Sequence, residues 1–198
     1  MKYDFECKLN SRFLNKVPIP YLFKYYFPDS WLRLHSFTDS KIYADNCTQM
    51  DILLTHQNHI IDDCLSSGSP IFIVSGNSFI GDSKIPIYDQ VSMLNYDFTA
   101  VPSINLHKID PEHFDDGEDN DLYFTPMFTE TLWDPNIHND LLVKIANDET
   151  CAFFISFEKN VIIAPYDGGL DLIIEDCYLK NEIKKKYSEL LSKRDNGL

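Results

Sequence analysis

The stretch FFISFEKNVIIAPYDGGLDLII, residues 153–174, carries most of the fold prediction for this chain. It contains three apolar runs, at 153–157, 161–164 and 170–174, and each is followed or preceded by a polar turn. Short runs rich in β-branched and aromatic residues, separated by three to five turn residues, are typical of antiparallel strands joined by tight connections. We therefore predict a three-stranded antiparallel meander.

The turn before the third run and the segment after it extend this prediction. Gly168 and Gly169 are expected to supply positive φ angles, and Asp167 can hydrogen-bond its own backbone. Asp176 then precedes a helical pattern as a plausible N-cap, which predicts a helix at about 177–191. The apolar residues on its buried face are Leu179, Ile183, Tyr187, Leu190 and Leu191.

Helical periodicity also appears upstream of the meander. Phe5, Leu9 and Phe13 predict a short N-terminal helix, and a longer one is expected at about 48–65, starting at a capping-box-like Thr48. Asp134 and Pro135 are a suitable N-cap and first residue for a helix at about 135–147. The residues which that helix is expected to bury are Ile137, Leu141, Leu142, Ile145 and Ala146.

Strands are predicted at 31–37, 71–74 and, as a broken edge strand, at 98–109. The helix between the first two suggests a βαβ crossover that pairs them in parallel. The predicted fold class is α+β: one domain over residues 1–198, with a mostly antiparallel mixed sheet of five to seven strands covered by about three to five helices. Residues 1–30 are expected to form a helical extension packed on it.

Composition limits the class of protein. Hydrophobic residues make up 44% of the 198 residues and aromatic residues 14%, which is enough for a packed core. No apolar run approaches the roughly 20 residues that a membrane-spanning helix needs, and the first residues lack the apolar segment of a signal peptide. The five cysteines are scattered and odd in number, which favours reduced thiols and a cytoplasmic location.

The charge distribution points to one kind of partner. The net charge is −14, and the window 110–140 contains ten acidic residues and no lysine or arginine. Such a surface repels phosphate backbones and anionic lipids, so neither nucleic acid nor membrane is expected as a partner. A basic protein is the electrostatic complement, although acidity also serves solubility alone. The candidate binding residues are Asp115, Asp116, Glu118, Asp119 and Asp121.

Motifs for catalysis or metal binding are missing from the sequence. It contains no G-x-S-x-G, no Walker-type phosphate loop and no G-x-G-x-x-G. His56 and His59 are one helical turn apart, but the metalloprotease pattern H-E-x-x-H is absent, and exposed histidines are the favoured interpretation. The acidic segment 115–121 lacks EF-hand spacing, which favours a solvated loop over a calcium site. We predict no catalytic residue, no cofactor and no metal.

A second candidate site follows from strand alternation. On a strand at 31–37, Arg33 and His35 share a face. If this strand lies beside the closing hairpin, that face meets the turn residues Tyr166, Asp167 and Asp171. The five side chains would then line a groove suited to an enzyme or a small-molecule binder. A half-buried strand face and an ordinary turn explain the same residues without any ligand.

Two of these segments also resemble a known domain family. Trp31-Leu32-Arg33 and Tyr166-Asp167-Gly168-Gly169-Leu170-Asp171, followed by a helix ending in Lys-Tyr-x-x-Leu-Leu, are similar to an uncharacterised bacterial domain family of unknown function. Members carry an Asp-Asp-Arg-Gly-x-Asp turn, and Gly168 stands here at the arginine position. The resemblance implies a mixed α/β fold and transfers no catalytic residue. Small acidic bacterial proteins of this kind are often immunity proteins, which is an association and not a derivation.

The leading functional prediction is therefore a cytoplasmic, non-enzymatic binding protein, possibly immunity-like, that presents the acidic 110–140 surface to a basic protein. The alternative is an enzyme or small-molecule binder that uses the groove between strand 31–37 and the 165–171 turn. The sequence predicts no oligomeric state.

Overall fold

The structure is a computed structural model that describes residues 2–37, 43–114 and 121–191. Within these ranges the chain forms a nine-stranded sheet with helices on both faces, which confirms the predicted α+β class. The strands are β1 (Trp31–His35), β2 (Pro70–Ile80), β3 (Tyr88–Asp89), β4 (Thr99–Ala100), β5 (Ile104–Asn105), β6 (Leu122–Leu132), β7 (Phe153–Ser156), β8 (Val161–Tyr166) and β9 (Gly169–Ile174).

The sheet order along its main path is β1-β9-β8-β7-β2-β6-β4, and β3 and β5 pair with β2 and β6. All pairings among the described strands are antiparallel, and the meander β7-β8-β9 has the predicted hairpin connections. The predicted parallel crossover is wrong. β1 and β2 have the same direction, but three strands separate them, because β9 returns to occupy the place beside β1.

Seven α-helices accompany the sheet in the described part of the chain. They are α1 (Lys2–Arg12), α2 (Phe23–Tyr26), α3 (Cys47–Leu65), α4 (Leu106–Ile109), α5 (Pro111–Phe114), α6 (Asn139–Ala146) and α7 (Cys177–Lys186), with single 3₁₀ turns at Pro20–Leu22 and Ser188–Leu190. The helix predicted at 177–191 therefore ends earlier, and its last residues form one of these turns.

Of the three predicted helix N-termini, that of α7 is correct, and those of α3 and α6 differ from the prediction. Asp176 caps α7 as predicted, since its side chain accepts hydrogen bonds from the backbone N–H groups of Tyr178 and Leu179. The start of α3 is different, because Asn46, not Thr48, is its N-cap. Asp134 and Pro135 do not begin α6. The chain turns through the positive φ of Asn136 first, and Ile137 stays 66% exposed.

Two hydrophobic layers cover the two faces of the sheet. On one face, α3, α6 and α7 pack against β-strand residues such as Leu34, Ile73 and Leu172. On the other face, α1 supplies Phe5 and Leu9, as its periodicity predicted, to a largely aromatic cluster. In that cluster the rings of Phe5 and Phe128 stack with centroids 3.8 Å apart. Burial on both sides explains why β7, β8 and β9 are almost wholly apolar.

Other predicted segments differ in extent. The strand predicted at 71–74 continues to Ile80, because β6 pairs with it over its whole length. The predicted strand 98–109 consists of the short β4 and β5, and then the chain turns into α4 at Leu106. These short strands raise the count above the predicted five to seven.

The thiols are unpaired, as the scattered cysteines predicted. All five cysteines are free; Cys64 is buried and Cys151 is partly buried. Among the described residues, none of the helices combines the length and hydrophobicity required to cross a bilayer.

Candidate functional site

The connection between β8 and β9 brings the chain unusually close to β1. A side chain on Gly169 would overlap the carbonyl oxygen of Leu34, and its Cβ would lie 2.9 Å from the Tyr166 hydroxyl. Gly168 and Gly169 do not have positive φ angles, so the predicted reason for these glycines is wrong. At position 169 the requirement is space, because the backbone of β1 passes directly over it.

The close approach is reinforced by hydrogen bonds. The N–H of Ser36 donates to the carbonyl of Gly168 at 2.7 Å, which extends the pairing by one residue beyond β1. From the other face, the buried amide Nε2 of Gln57 on α3 donates to the carbonyl of Gly169 at 3.0 Å. The backbone of the turn is therefore held between a strand and a helix.

An ion pair joins the two strands next to this turn. Arg33 and Asp171 are directly opposite each other in the β1-β9 register. The guanidinium donates from Nε at 2.7 Å and from Nη2 at 2.6 Å to the two carboxylate oxygens. The side chains are only 20% and 7% exposed. Burial works against the charge of Arg33, but the hydrogen bonds and the charge of Asp171 outweigh it and raise the pKa of Arg33.

Tyr166 completes this arrangement from β8. Its ring lies 4.8 Å from the guanidinium carbon of Arg33, within the range of a cation–π contact. Its hydroxyl is 3.0 Å from Nδ1 of His35. Burial raises the pKa of Tyr166 well above the ordinary tyrosine value, so the phenol stays neutral at physiological pH.

These side chains border a cavity of about 360 Å³, which we call the polar cavity. Four of the five predicted groove residues line it. The fifth, His35, does not line it but is hydrogen-bonded to Tyr166, which does. The cavity forms where β7 begins late: residues of β8 beyond Ile163 have no β7 partner, and the chain at 148–151 lies near them instead. Its lining consists of Pro20, Tyr21, Arg33, Ile145, Asp148, Thr150, Cys151, Ala164, Pro165, Tyr166, Asp167 and Asp171.

A second cavity of about 390 Å³ adjoins the first, and we call it the apolar cavity. Pro20, Tyr21 and Cys151 border both, so the two cavities are adjacent, and we refer to them together as the cleft. Aromatic and aliphatic side chains dominate the second cavity, with a few polar ones among them. Its further lining is Pro18, Ile19, Val74, Ser75, Ser78, Tyr88, Gln90, Leu106, Phe114, Leu122, Phe124 and Phe153.

The apolar cavity was not predicted from the sequence. Its walls come from segments far apart in the chain, and within each segment the lining residues look like ordinary core positions. Gly76, two residues after the predicted strand 71–74, was the one sequence feature that could have indicated this cavity. A side chain there would collide with the ring of Phe124, so this glycine keeps a wall of the cavity in place.

Cys151 lies at the junction of the two cavities. Burial raises the pKa of its thiol to about 12, which keeps it protonated at neutral pH. Because the thiolate is the reactive form, this residue is not an activated nucleophile. The backbone beside it is fixed: Ser75 donates to the carbonyl of Cys151 at 2.7 Å, and Thr150 donates to the carbonyl of Gln90 at 2.5 Å.

The described acidic residues of the window 110–140 differ in their exposure to solvent. Asp110 is buried, accepts hydrogen bonds from Tyr26 and His113, and has a lowered pKa because these bonds outweigh the opposing effect of burial. Asp121 and Glu130 are exposed near opposite ends of β6. Four of the predicted binding residues, Asp115, Asp116, Glu118 and Asp119, lie outside the described residues, and only Asp121 of that set can be placed.

The two histidines on α3, His56 and His59, do not belong to a group that could hold a metal ion among the described residues. His56 hydrogen-bonds through Nδ1 to the carbonyl of Ser36 at 2.8 Å, and His59 is exposed. Over the ranges 2–37, 43–114 and 121–191, no group of three histidine, cysteine or carboxylate side chains has the geometry of a metal site.

Comparison with known proteins gives a family but no activity. A family model with the description "Domain of unknown function (DUF3885)" matches residues 19–195. The matched span includes both segments on which the resemblance was based, 31–33 and 166–171. No curated protein and no solved structure matches the chain.

Proposed function

The chain belongs to this domain family of unknown function, as its resemblance predicted, and from the cleft we propose that it binds a small organic ligand. The observation that carries the proposal is that a polar and an apolar cavity are adjacent and share three lining residues. A polar cavity organised by Arg33, Asp171 and Tyr166 opens beside an apolar one across Tyr21 and Cys151. Ligand sites are typically concave and mostly apolar, with a few well-placed polar groups, and have volumes of about 300–1,000 Å³.

The polar groups of the cleft are held in place before any ligand arrives. Arg33 is fixed by two hydrogen bonds to Asp171 and lies against the ring of Tyr166. The turn that carries Tyr166 and Asp171 is held by β1 and by Gln57. A preorganised site loses less conformational entropy on binding, so rigid walls favour affinity.

Binding is favoured over covalent catalysis by the protonation states in the cleft. The pKa values of Tyr166 and Cys151 are both raised by burial, toward the neutral and less nucleophilic forms. Arg33 has its charge engaged by Asp171. A nucleophile with a matched base would require the opposite shifts.

A fragment screen on the isotope-labelled protein tests the proposal. Binders should shift the amide signals of residues that line the cleft, among them Ser78 and Cys151. Ser78→Trp fills the apolar cavity and should abolish binding of any fragment located there, whereas Ser11→Trp, on the exposed side of α1 and outside both cavities, should leave it intact. Binders that map to another surface, or that bind equally to both variants, would exclude the cleft as the functional site.

A second proposal retains the predicted basic protein partner. The net charge of −14 and the ten-to-none excess of acidic residues at 110–140 support it, together with the exposure of Glu112 and Asp121 on either side of the undescribed segment. In this proposal the protein is bacterial, cytoplasmic and immunity-like. Partner capture at low salt from the native lysate, eluted with a salt gradient, tests it. Neutralising the five carboxylates should weaken capture and reduce its salt dependence; the changes are Asp115→Asn, Asp116→Asn, Glu118→Gln, Asp119→Asn and Asp121→Asn.

A further inference from the structure

The polar cavity contains more negative charge than positive charge. Three carboxylates line it, those of Asp148, Asp167 and Asp171, and Arg33 is the one cation among its described lining residues. Both oxygens of Asp171 accept hydrogen bonds from Arg33, so this pair is internally neutral. Asp148 and Asp167 have no ion pair and no side-chain hydrogen bond among the described residues.

The two carboxylates without an ion pair are brought to the cavity by separate parts of the chain. Asp148 follows α6 in a left-handed conformation, with φ of 58°, and its N–H donates to the carbonyl of Ile145 at 3.0 Å. Asp167 belongs to the turn that Gly169 holds against β1. Both carboxylates line the same cavity, so a cation bound there would have two anionic neighbours.

The walls between and around these carboxylates also suit a cation. Tyr21 borders both cavities and is 57% exposed, and the ring of Tyr166 lines the polar one. Aromatic faces next to carboxylates are the usual environment for ammonium and guanidinium groups in binding sites. An anion would find the guanidinium of Arg33 already engaged and two free carboxylates nearby, which disfavours its binding.

The apolar cavity determines what the cation is attached to. It meets the polar cavity at Tyr21 and Cys151, and beyond them lie the rings of Phe124 and Phe153 and the side chain of Leu106. An apolar group placed there loses contact with water, which favours its binding. A ligand that fills both cavities therefore has a charged end and an apolar end.

We propose, on the basis of the ligand-binding function above, that the cleft selects a small organic cation: a primary amine or guanidine that bears an aromatic or aliphatic group. The cationic end lies between Asp148 and Asp167, and the apolar end occupies the apolar cavity. Neutral and anionic molecules of the same shape bind more weakly.

Three probes of matched shape test this selection: phenethylamine, phenethyl alcohol and phenylacetate. Their affinities are measured by titration monitored through amide chemical shifts at low ionic strength. We expect the amine to bind roughly fivefold to tenfold more tightly than the alcohol, as two partly exposed ion pairs imply. Phenylacetate should bind most weakly, and added salt should reduce only the preference for the amine.

Charge-neutral variants link the preference to the two carboxylates. Asp148→Asn and Asp167→Asn should each lower amine affinity about twofold to threefold and leave the alcohol unchanged. Both side chains are exposed, so the folded structure should persist, and circular dichroism verifies this. Asp82→Asn, an exposed position outside both cavities, is the matched control and should change neither affinity.

The outcomes separate this inference from the function on which it rests. Equal binding of amine and alcohol at the cleft would overturn the cation selection and leave ligand binding intact. Tighter binding of phenylacetate would also overturn it. If none of the three probes binds at millimolar concentration, the proposed ligand class is wrong, while the fragment screen with Ser78→Trp decides independently whether the cleft binds ligands at all.

Discussion

Replacing Arg33 with methionine is expected to destabilise the protein by about 3 kcal/mol, because the change leaves the carboxylate of Asp171 buried without a partner. Breaking a buried ion pair by removing one member typically costs about 3–5 kcal/mol. Asp171 is 7% exposed and receives both of its short hydrogen bonds from Arg33. We place the cost at the lower end of that range because the Arg33 side chain is still 20% exposed to solvent.

Two further variants separate the charge from the shape of the pair. Arg33→Lys retains a cation but loses the two-pronged geometry, so we expect a loss of about 1–2 kcal/mol. The double variant Arg33→Met with Asp171→Leu removes both charges and packs apolar groups in their place. Such replacements are often neutral, so the double variant should be within about 1 kcal/mol of the original protein, with a large coupling energy in the double-mutant cycle.

Urea unfolding followed by circular dichroism measures these differences. For a chain of this size the dependence on urea is about 3 kcal/mol per M, so the Arg33→Met midpoint should fall by about 1 M. A loss below about 1 kcal/mol, as found for exposed ion pairs, would refute the reasoning. It would mean that solvent reaches Asp171 freely, and that the polar cavity lacks the rigid wall on which the proposed function depends.

Three other predictions concern parts of the fold that position the cleft. Gly169→Ala should lower the free energy of unfolding by about 2 kcal/mol or more in urea titrations, since the new methyl group overlaps the carbonyl of Leu34; an unchanged midpoint would show that β1 can move away freely. Asn58→Ala should cost about 2–3 kcal/mol by the same measurement, because the Asn58 side chain makes three hydrogen bonds: one within α3 to Leu54, and two that join α3 to Asn136 and to Asn139 at the start of α6. The free energy of unfolding should fall as the pH rises from about 9 toward 12. In the folded protein the thiols of Cys64 and Cys151 have pKa values of about 12, compared with 9.0 for an ordinary thiol. The unfolded chain therefore loses these protons at lower pH, which favours unfolding. Urea midpoints that stay constant from pH 8 to pH 11 would contradict that last expectation.

The parts of the fold that were predicted correctly depend on local sequence. The meander β7-β8-β9 is specified by short apolar runs and by turns of a few residues, so each strand finds its partner nearby. Asp176 caps α7 through N–H groups only two and three residues away. Such signals need no knowledge of the rest of the chain.

The incorrect predictions concern competition between distant segments. The neighbour of β1 is β9, which is far along the sequence, and no local pattern favours it over β2. Before α6, the N–H of Asn136 is captured by Asn58 of α3 in a backbone conformation with φ of 69°, which prevents a helix from starting at Pro135.

The candidate site contains residues that the sequence could group together and residues that it could not. The side chains of Arg33, Tyr166, Asp167 and Asp171 could be grouped by strand alternation and by the turn, once β1 was placed beside β9. Whether they bind a ligand stays a prediction. The apolar cavity requires the three-dimensional assembly of segments from both halves of the chain, and no periodicity reports it.

The pairing of Arg33 with Asp171 spans 138 residues, and this separation matters during synthesis of the protein. β1 leaves the ribosome long before its partner β9 has been synthesised. Until then the backbone edge of β1 and the side chain of Arg33 have no native partner. Contacts between such distant segments form slowly, and the waiting strand is open to wrong partners. The polar cavity is therefore complete only after β9 has been synthesised, and a nascent chain interrupted before that point lacks the Arg33–Asp171 pair.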